Sequence, residues 1–289
     1  MTSRWIGLLC LLVTVLGWGL NWPAMKLLLQ EWPPLLSRGV AGVVGCGLLA
    51  LIARHRGERL AVPAGAGPRL LLATFTNVFA WMGFSTMAMR WVSVSEGALL
   101  VYSMPLWAMI LAWPLRGTRP SARGFAALML GLAGITVLLG AQGIALDAEK
   151  LVGIGLALAA AVCFALGTIL NGAPLPMPPV ALVAWQVGLG CAPMLLIGLL
   201  FEHPDYAALS PVGAAVLIYM TLVPMGVCYL TWFAALRHLP PAMAATGMLL
   251  VPLVGVVSAA LMLGEPLGPQ QVMAIALTLG GVALALRKG

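Results

Sequence analysis

The sequence predicts an all-α polytopic membrane protein with ten transmembrane helices arranged as two inverted five-helix repeats. Of its 289 residues, 62% are hydrophobic and only 8% are charged, whereas a soluble domain usually carries about 25% charged residues. Apolar runs of about 18 residues or more, long enough to cross a bilayer as a helix, follow one another along the chain. Much of the segment 84–139 also reappears at 231–286 after a shift of 147 positions without a gap.

The duplicated segment indicates two copies of one unit, because the shift is about half of the chain length and too long for a solenoid repeat. We place the first repeat at residues 1–145 and the second at residues 146–289. Each repeat contains five predicted helices, an odd number, so the second repeat enters the membrane from the opposite side. Inverted repeats of this kind are typical of secondary transporters. The matching pairs include Ala88 and Ala235, Arg90 and Arg237, Pro105 and Pro252, Gly117 and Gly264, and Gly134 and Gly281.

The predicted helices are the apolar runs between short loops rich in Pro, Gly or charged residues. The clearest loops are 54–68, 140–150 and 171–179, and none is long enough to hold a soluble catalytic domain. The first run is far longer than the apolar region of a signal peptide, which spans about 7–15 residues, so we interpret it as a membrane helix. In order, the helices are predicted at about 5–29, 35–53, 70–89, 97–115, 122–140, 152–171, 179–200, 212–236, 242–263 and 269–286.

The basic residues predict the orientation. With ten spans both termini lie on one side, and that side holds 11 of the 15 Lys and Arg residues. The other side holds Lys26, Arg38, Arg90 and Lys150 together with seven of the eight acidic residues. An excess of Lys and Arg marks the cytoplasmic side, so we predict cytoplasmic termini in a bacterial-type inner membrane. Lys26, Arg38 and Arg90 are expected to extend toward the lipid headgroups, or, for Lys26, to attract a substrate carboxylate.

Several other classes of protein lack support in the sequence. The five cysteines fall inside apolar runs at unrelated spacings, which is typical of small buried side chains rather than of a zinc or redox motif. The acidic residues and histidines fall in loops or near helix ends, so no catalytic or metal-binding group is expected at membrane depth. A glycine-rich phosphate loop is also absent. We therefore predict no enzyme activity, no metal, no cofactor and no nucleic-acid partner.

Polar and aromatic side chains recur along single faces of several predicted helices. Such faces usually point away from lipid, and residues three or four positions apart share one face of a helix. The alternative interpretation is structural: amides hold helices together by hydrogen bonds, and aromatic rings pack in the core. The stripes are Thr14, Trp18, Asn21 and Met25 in helix 1, Thr74, Asn77, Trp81 and Ser85 in helix 3, Phe164, Thr168 and Asn171 in helix 6, and Met225, Tyr229 and Trp232 in helix 8.

We predict that part of these stripes forms a substrate cavity with aromatic walls and a few amide contacts. Such a lining suits an amphipathic zwitterion with an apolar side chain, because most of its area is apolar while a few polar groups set the orientation. Tyr102 joins the set because it lies just before the proline of helix 4. The predicted substrate-binding residues are Trp18, Asn21, Asn77, Trp81, Tyr102, Phe164, Tyr229 and Trp232.

Pro105 and Pro252 lie near the middle of helices 4 and 9, at matching positions of the two repeats. Proline has no N–H and clashes with the carbonyl four residues earlier. The freed carbonyls of Val101 and Met248 then need other partners. We predict that the two prolines are hinges at which these helices bend to open the site to each side. Static packing is the alternative interpretation.

Short motifs in both halves resemble the EamA-type carriers of the drug/metabolite transporter superfamily. The resemblance covers nearly the whole chain, implies ten helices in two five-helix repeats, and is most similar to the YddG-type exporters of aromatic amino acids. One departure is that the first repeat has Gly117-Thr118 where the second has Gly264-Glu265, so an acidic role at that turn cannot apply to both halves. The motifs are Trp18-Gly19-Leu20-Asn21, Tyr102-Ser103-Met104-Pro105-Leu106, Gly264-Glu265-Pro266-Leu267, and the Gly-Ile-Thr-Val and Gly-Val-Ala-Leu endings of the two halves.

These observations together predict a membrane transporter that exports amino acids, with aromatic and other apolar ones favoured, by alternating access. Its expected partners are the small-molecule substrate and the lipid bilayer. Proton-coupled carriers commonly keep an acidic residue or histidine deep in the membrane. Because none is found there, we expect transport driven by the substrate gradient without obligatory ion coupling. The alternative is a carrier of the same fold that exports drugs, such as organic cations, or other small metabolites.

Overall fold

The computed structural model describes residues 3–119, 121–140, 148–172 and 174–286, and its regular secondary structure over these residues is helical throughout. The predicted boundary between the repeats, at residues 145 and 146, lies outside the described residues. The ten helices are α1 (Ser3–Leu28), α2 (Pro34–His55), α3 (Gly67–Ala88), α4 (Val94–Arg116), α5 (Ala122–Gly140), α6 (Ala148–Asn171), α7 (Pro179–Phe201), α8 (Pro211–His238), α9 (Pro241–Gly247 followed by Leu250–Leu263) and α10 (Pro269–Leu286).

The predicted fold class is confirmed. Seven of the described helices, α1 to α4 and α6 to α8, are long and apolar enough to cross a membrane by length and composition, and α5, α9 and α10 contain shorter apolar helices. Most bounds agree with the prediction to within about three residues. Helix α4 begins at Val94 rather than 97 because Ser93 and Glu96 form a capping box, in which each backbone N–H donates to the other side chain.

Successive helices run in alternating directions between two faces of the bundle. At one end of α1, Ser3 Oγ lies 2.8 Å from His238 Nδ1, at the end of α8. At the other end, Ser210 at the start of α8 donates its N–H and its hydroxyl to the carboxylate of Glu31, at 2.9 and 2.7 Å. Helices α1 and α8 are therefore antiparallel neighbours. We call the end with Ser3 the terminus face and the end with Glu31, which also carries Glu265, the Glu265 face.

The two repeats interlock through their first helices. Helix α1 of the first repeat packs on α8 and α9 of the second, and α6 packs on α3 and α4 of the first. Helix α2 packs on its counterpart α7, and α5 packs on α10. Exchanging the repeats reproduces this pattern of neighbours, as expected for an inverted repeat with an approximate two-fold axis in the membrane plane.

Glycine allows the backbones of α5 and α10 to touch. A Cβ atom on Gly134 would lie 2.3 Å from Thr278 Oγ1 and 2.7 Å from its backbone nitrogen. A Cβ atom on Gly281, the matching residue of the second repeat, would lie 2.7 Å from the carbonyl oxygen of Ala127 and from the nitrogen of Gly131. Close approach through small residues is how membrane helices gain packing energy where lipid gives no hydrophobic drive.

Carboxylates cap the amino ends of α2 and α7 reciprocally. Glu202, which follows α7, accepts hydrogen bonds from the N–H groups of Leu35 and Leu36, at 3.1 and 2.8 Å. Glu58, which follows α2, accepts one from the N–H of Ala181, at 2.9 Å. A negative charge is favourable at a helix amino end, where unpaired N–H groups and the helix dipole concentrate positive charge. These acidic residues therefore hold the repeats together at both faces.

Glu265 of the second repeat forms a similar cap, which the matching residues cannot form. Its carboxylate accepts hydrogen bonds from the N–H groups of Val94, at 2.7 Å, and Ser95, at 3.3 Å, so it ties the end of α9 to the start of α4. At the matching position of the first repeat, Thr118 has no carboxylate, and Pro241, which matches Val94, has no N–H to donate. The first repeat therefore lacks the carboxylate at Thr118, and α9, which begins at Pro241, has one backbone N–H donor fewer at its start than α4.

Four helices depart from regular α-geometry at equivalent places. Helices α4 and α9 are interrupted by turns at Tyr102-Ser103 and Met248-Leu249, two to four residues before Pro105 and Pro252. Helix α3 is a π-helix from Phe75 to Phe84, and α8 contains a shorter π-segment from Val223 to Val227. Prolines interrupt helical hydrogen bonding, and π-segments are frequent at functional sites. All four irregular segments reach the middle of the bundle.

Candidate functional site

A cavity of about 590 Å³ lies between the two repeats in the middle of the bundle. Its described lining runs from Leu182 and Val282, near the terminus face, to Ser85 and Arg38, near the Glu265 face. All eight residues predicted to bind substrate contribute to this lining: Trp18, Asn21, Asn77, Trp81, Tyr102, Phe164, Tyr229 and Trp232. Their role in binding stays a prediction.

The irregular helices determine which side chains face the cavity. In the π-segment of α3 each turn is wider because the hydrogen bonds join residues five apart. Asn77 and Trp81 therefore stay on the cavity side together with Ser85. Thr74 was predicted on the same stripe but is buried outside the described lining. Pro105 lines the cavity at the break in α4, whereas Pro252 is buried within α9.

Aromatic contacts form one wall of the cavity around Trp81. The Trp81 ring lies 4.9 Å from that of Phe164 and 5.8 Å from that of Tyr102, between centroids, and meets Tyr102 edge-on at 80°. Tyr102 in turn lies 6.1 Å from Trp22, a lining residue that the stripe analysis missed. The sequence does indicate this position, because Trp22 follows Trp18 by four residues and so lies near the same face of α1. Edge-to-face and tilted pairs of this kind stabilise one another beyond simple burial.

A second aromatic wall surrounds Trp18. Its ring meets Tyr229 edge-on at 5.4 Å and Trp232 at 6.3 Å between centroids. The indole N–H donates to the carbonyl oxygen of Pro224, at 3.0 Å, within the π-segment of α8. This bond and the two ring contacts restrict the rotation of the indole, which belongs to the cavity lining.

The amide groups of the cavity differ in how far neighbours satisfy them. Asn77 Oδ1 accepts a hydrogen bond from Thr76 Oγ1 at 3.2 Å. Asn21 Oδ1 is buried and has no hydrogen-bond partner among the described residues. Gln186, on α7, adds a third amide that sequence reasoning missed. A buried carbonyl oxygen without a partner costs about 1–3 kcal/mol, so Asn21 is the amide that gains most from a ligand.

Arg38 is placed differently from the prediction. Its place near a helix end predicts that the side chain reaches the lipid headgroups, but the side chain is only 4% exposed and lines the cavity. Its Nε donates to Thr86 Oγ1 at 3.1 Å, and its Nη2 lies 2.8 Å from the sulfur of Met25. No Asp or Glu oxygen of the described chain lies within 4.0 Å of the guanidinium. Helix α2 is apolar on every side, so its sequence does not reveal which way Arg38 points.

Lys26 and Arg90, two other cations near the Glu265 face, make different contacts. Lys26 is not among the described residues that line the cavity. Its ammonium donates to the carbonyl oxygens of Met89 and Val92, at the corner between α3 and α4. Arg90 is exposed, with its guanidinium 5.5 Å from the centre of the Trp91 ring.

Polar contacts close the bundle at the Glu265 face. Lys26 ties α1 to the corner between α3 and α4, and Glu265 ties the end of α9 to the start of α4. Lys150, on α6, forms an ion pair with Glu96 at 2.7 Å. Beneath these contacts, Met89, at the α3–α4 corner, is completely buried. The lining residues nearest this face, Arg38 and Ser85, are only 4% and 5% exposed, so packed side chains close the cavity on this side.

The described lining contains one charged side chain, that of Arg38, and neither acidic residues nor histidine. Across the described residues, no group of three or more His, Cys, Asp or Glu side chains is arranged to hold a metal ion. The site can thus enclose an apolar group between aromatic walls and contact a polar group through amides and a guanidinium.

Comparison with known proteins gives a consistent picture. The model of the EamA-like transporter family matches twice, at residues 5–140 and 151–287. The chain is 31% identical to a probable amino-acid metabolite efflux pump of Salmonella typhimurium strain LT2, over 97% of this chain and 94% of the relative. It is 28% identical to a protein of the same name from Escherichia coli K12, with the same coverage, and 26% identical to the uncharacterized transporter YvbV of Bacillus subtilis, over 90% and 84%.

A solved crystal structure of a protein has the same fold. Its TM-score is 0.67, with 98% of this chain and 96% of the other covered, and the two sequences are 21% identical. At that identity the likeness speaks for the fold alone. The family match and the names of the relatives indicate a transporter rather than an enzyme.

Proposed function

Because the chain belongs to the EamA-like transporter family, we propose that it exports amino acids from the cytoplasm, with aromatic and other apolar ones favoured. The cavity carries this proposal, since it combines aromatic walls with a few amide groups and one guanidinium. Such a lining fits a ligand that is mostly apolar and has a polar head. The two relatives named probable amino-acid metabolite efflux pumps support the same class of cargo. The finer assignment to aromatic amino acids, as in YddG-type exporters, rests on the walls around Trp18 and Trp81.

Transport proceeds in this proposal by alternating access. The cavity lies between the repeats and is closed at the Glu265 face, and in this proposal it loads from the terminus face. The broken helices α4 and α9 cross the bundle at this depth and supply the flexible points. Rearrangement there exchanges the sealed face for the open one, in keeping with the near-equivalence of the two repeats.

The substrate gradient drives export in this proposal. No acidic residue or histidine belongs to the described lining, and a proton-coupled carrier commonly uses such a group at membrane depth. The described carboxylates that make contacts are instead engaged at helix ends, as Glu58, Glu202 and Glu265 are. Accumulation of amino acid in the cytoplasm would then suffice to move it outward.

The positive-inside rule supports a bacterial inner-membrane location with both termini in the cytoplasm. In this orientation the terminus face is cytoplasmic and the Glu265 face is external. The terminus face would carry 11 of the 15 Lys and Arg residues, as expected for the cytoplasmic side. With its external face closed, the carrier would bind its substrate from the cytoplasm.

Counterflow in proteoliposomes tests the function directly. Vesicles loaded with unlabelled phenylalanine and diluted into labelled phenylalanine are expected to accumulate label transiently, without ATP or a pH gradient. Protein-free vesicles and proteoliposomes loaded with buffer alone are the controls. If no amino acid of a complete panel exchanges, the proposed cargo is wrong. A proton flux strictly tied to phenylalanine flux would contradict the uncoupled mechanism.

Efflux of drugs or other small metabolites is the second candidate, because aromatic walls also suit flat hydrophobic compounds. The same vesicles distinguish it: counterflow of organic cations with no exchange of amino acids would favour drug efflux. We rank it second because the described lining offers a cationic contact and no anionic one.

A further inference from the structure

Arg38 is a buried cation that no described carboxylate neutralises. It is 4% exposed, and its two contacts, Thr86 and Met25, are both neutral. A guanidinium keeps its proton in proteins, and a buried charge is costly unless it is paired. Its Nη1 has no hydrogen-bond partner among the described residues, so donors remain available on the cavity side. This arrangement leaves a place for an anion.

The neighbours of Arg38 hold its guanidinium in a fixed position. Thr86 accepts from Nε and also donates its hydroxyl to the sulfur of Met25, at 3.1 Å, while that sulfur contacts Nη2. Thr86 is completely buried, and Met25 is 2% exposed. The three side chains therefore form a closed triangle at the sealed end of the cavity. A preorganised guanidinium loses little entropy when it binds a planar anion.

A second unsatisfied group lies one helical turn away. Asn21 is four residues before Met25 on α1, which corresponds to about 6 Å along the helix axis. Its Oδ1 is buried and accepts no hydrogen bond from the described residues. Because Arg38 contacts Met25, the cavity presents a cationic donor and an unpaired acceptor about one turn apart. Two hydrogen bonds of about 3 Å each from a ligand whose two polar groups share one carbon would bridge this distance.

We propose that Arg38 binds the carboxylate of the substrate and that Asn21 accepts a hydrogen bond from its α-ammonium group. The inference rests on the proposed function and deepens it, because it specifies an α-amino acid with a free carboxylate. The apolar side chain then points toward the aromatic walls around Trp81 and Trp18. Organic cations that lack an anionic group are repelled by Arg38 and leave the buried charge unpaired. Arg38 is thus a specificity-determining residue.

The test compares ligands that differ only in the anionic group. In the wild-type protein, phenylalanine is expected to exchange at least tenfold faster than phenylalanine amide or phenethylamine. In Arg38→Gln, exchange of phenylalanine is expected to fall at least a hundredfold, and Arg38→Lys should recover part of it, because lysine keeps the charge without the planar fork. Arg90→Gln, at an exposed arginine near the same face, is the matched control and is expected to behave as wild type.

Two outcomes would overturn the inference: equal exchange of phenylalanine and its amide by wild type, or Arg38→Gln exchange within twofold of wild type.

Thermal stabilisation of the purified wild-type protein gives a measurement that does not depend on transport or on the folding of a variant. Phenylalanine and 3-phenylpropionate are expected to raise the Tm, and phenethylamine is not. If no amino acid exchanges but 3-phenylpropionate still stabilises the protein, the amino-acid export proposal fails and the carboxylate site stands. If no carboxylate stabilises it, the site fails.

Discussion

Trp81 lies where the aromatic contacts of one cavity wall converge, because its ring meets both Tyr102 and Phe164. Replacing Trp81 by Ala removes the shared surface and leaves a void that an aromatic substrate does not fill completely. We expect the KM for phenylalanine to rise about tenfold, or about 1.4 kcal/mol, in line with the loss of one or two aromatic contacts. Exchange kinetics in proteoliposomes measure it.

The matched control for this substitution is Trp113→Ala. Trp113 is 53% exposed near the terminus-face end of α4, so its loss is expected to leave the KM unchanged. A Trp81→Ala protein with the wild-type KM for phenylalanine and valine alike would show that the wall only packs the core.

Single residues differ in how visible their role is in the sequence. Helix α1 carries polar and aromatic side chains at spacings of three and four, so the direction of Trp18 and Asn21 follows from helical periodicity. Arg38 has no such pattern around it, because α2 is apolar on all sides, and position near a helix end favoured the lipid headgroups instead. Its direction is set by Thr86 and Met25, which belong to other helices.

Helix positions follow from composition, but irregular helix geometry follows from packing. Ten apolar runs predict ten helices because a bilayer fixes their length. Pro105 and Pro252 indicate the disrupted helices, whereas the turns themselves fall two to four residues earlier, at Tyr102-Ser103 and Met248-Leu249. The π-segment of α3 contains no proline, so the sequence gives no sign of it.

The glycine contact between α5 and α10 permits a sharp test at the scale of these elements. In Gly134→Ala the new methyl group would meet Thr278 at 2.3 Å, and in Gly281→Ala it would meet backbone atoms at 2.7 Å. We expect each change to destabilise the protein by about 1–3 kcal/mol, the usual cost of overpacking. Thermal unfolding in detergent measures the effect.

Gly280→Ala is the matched control, because a Cβ atom there meets nothing within 4 Å. It adds the same methyl group to the same helix one position away. The close approach of α5 and α10 would be contradicted if the three variants unfolded at the same temperature.

At the scale of the whole molecule, the two repeats differ in the caps that join helix ends at the two faces of the bundle. The Glu265 cap joins α9 to α4 at one face, while the other face has Thr118 and Pro241 in the matching places. The sequence shows that the turns differ, but the consequence depends on which N–H groups lie opposite them. The structure supplies that information: the capped face is also the sealed one.

The hinge prediction belongs to this scale, because bending α4 and α9 moves whole sections of the bundle. Pro105→Ala and Pro252→Ala are expected to insert normally, since alanine favours helices, but to exchange phenylalanine several-fold more slowly. Restored helical hydrogen bonds would straighten the two breaks and stiffen them. Initial rates of counterflow, normalised to the amount of inserted protein, measure this.

Pro114→Ala serves as the control, because Pro114 lies inside the same helix α4 but in its exposed last turns. Its variant is expected to exchange at the wild-type rate. If both hinge variants exchanged phenylalanine at the full rate, the prolines would not be hinges and would serve only in static packing.

The packing of α1 against α8 and α9 also has a consequence for biosynthesis. Helix α1 is made first, while the helices that cover it are made near the end of translation. Until then the polar face of α1 lacks its partners in the bilayer. In the complete protein Thr14 Oγ1 on this face lies 2.7 Å from Thr231 Oγ1. Neither half of the chain contains a complete set of neighbours for its own first helix. Maturation therefore depends on late assembly of the whole polypeptide, and a nascent chain stalled midway would present exposed polar groups to the quality-control proteases of the membrane.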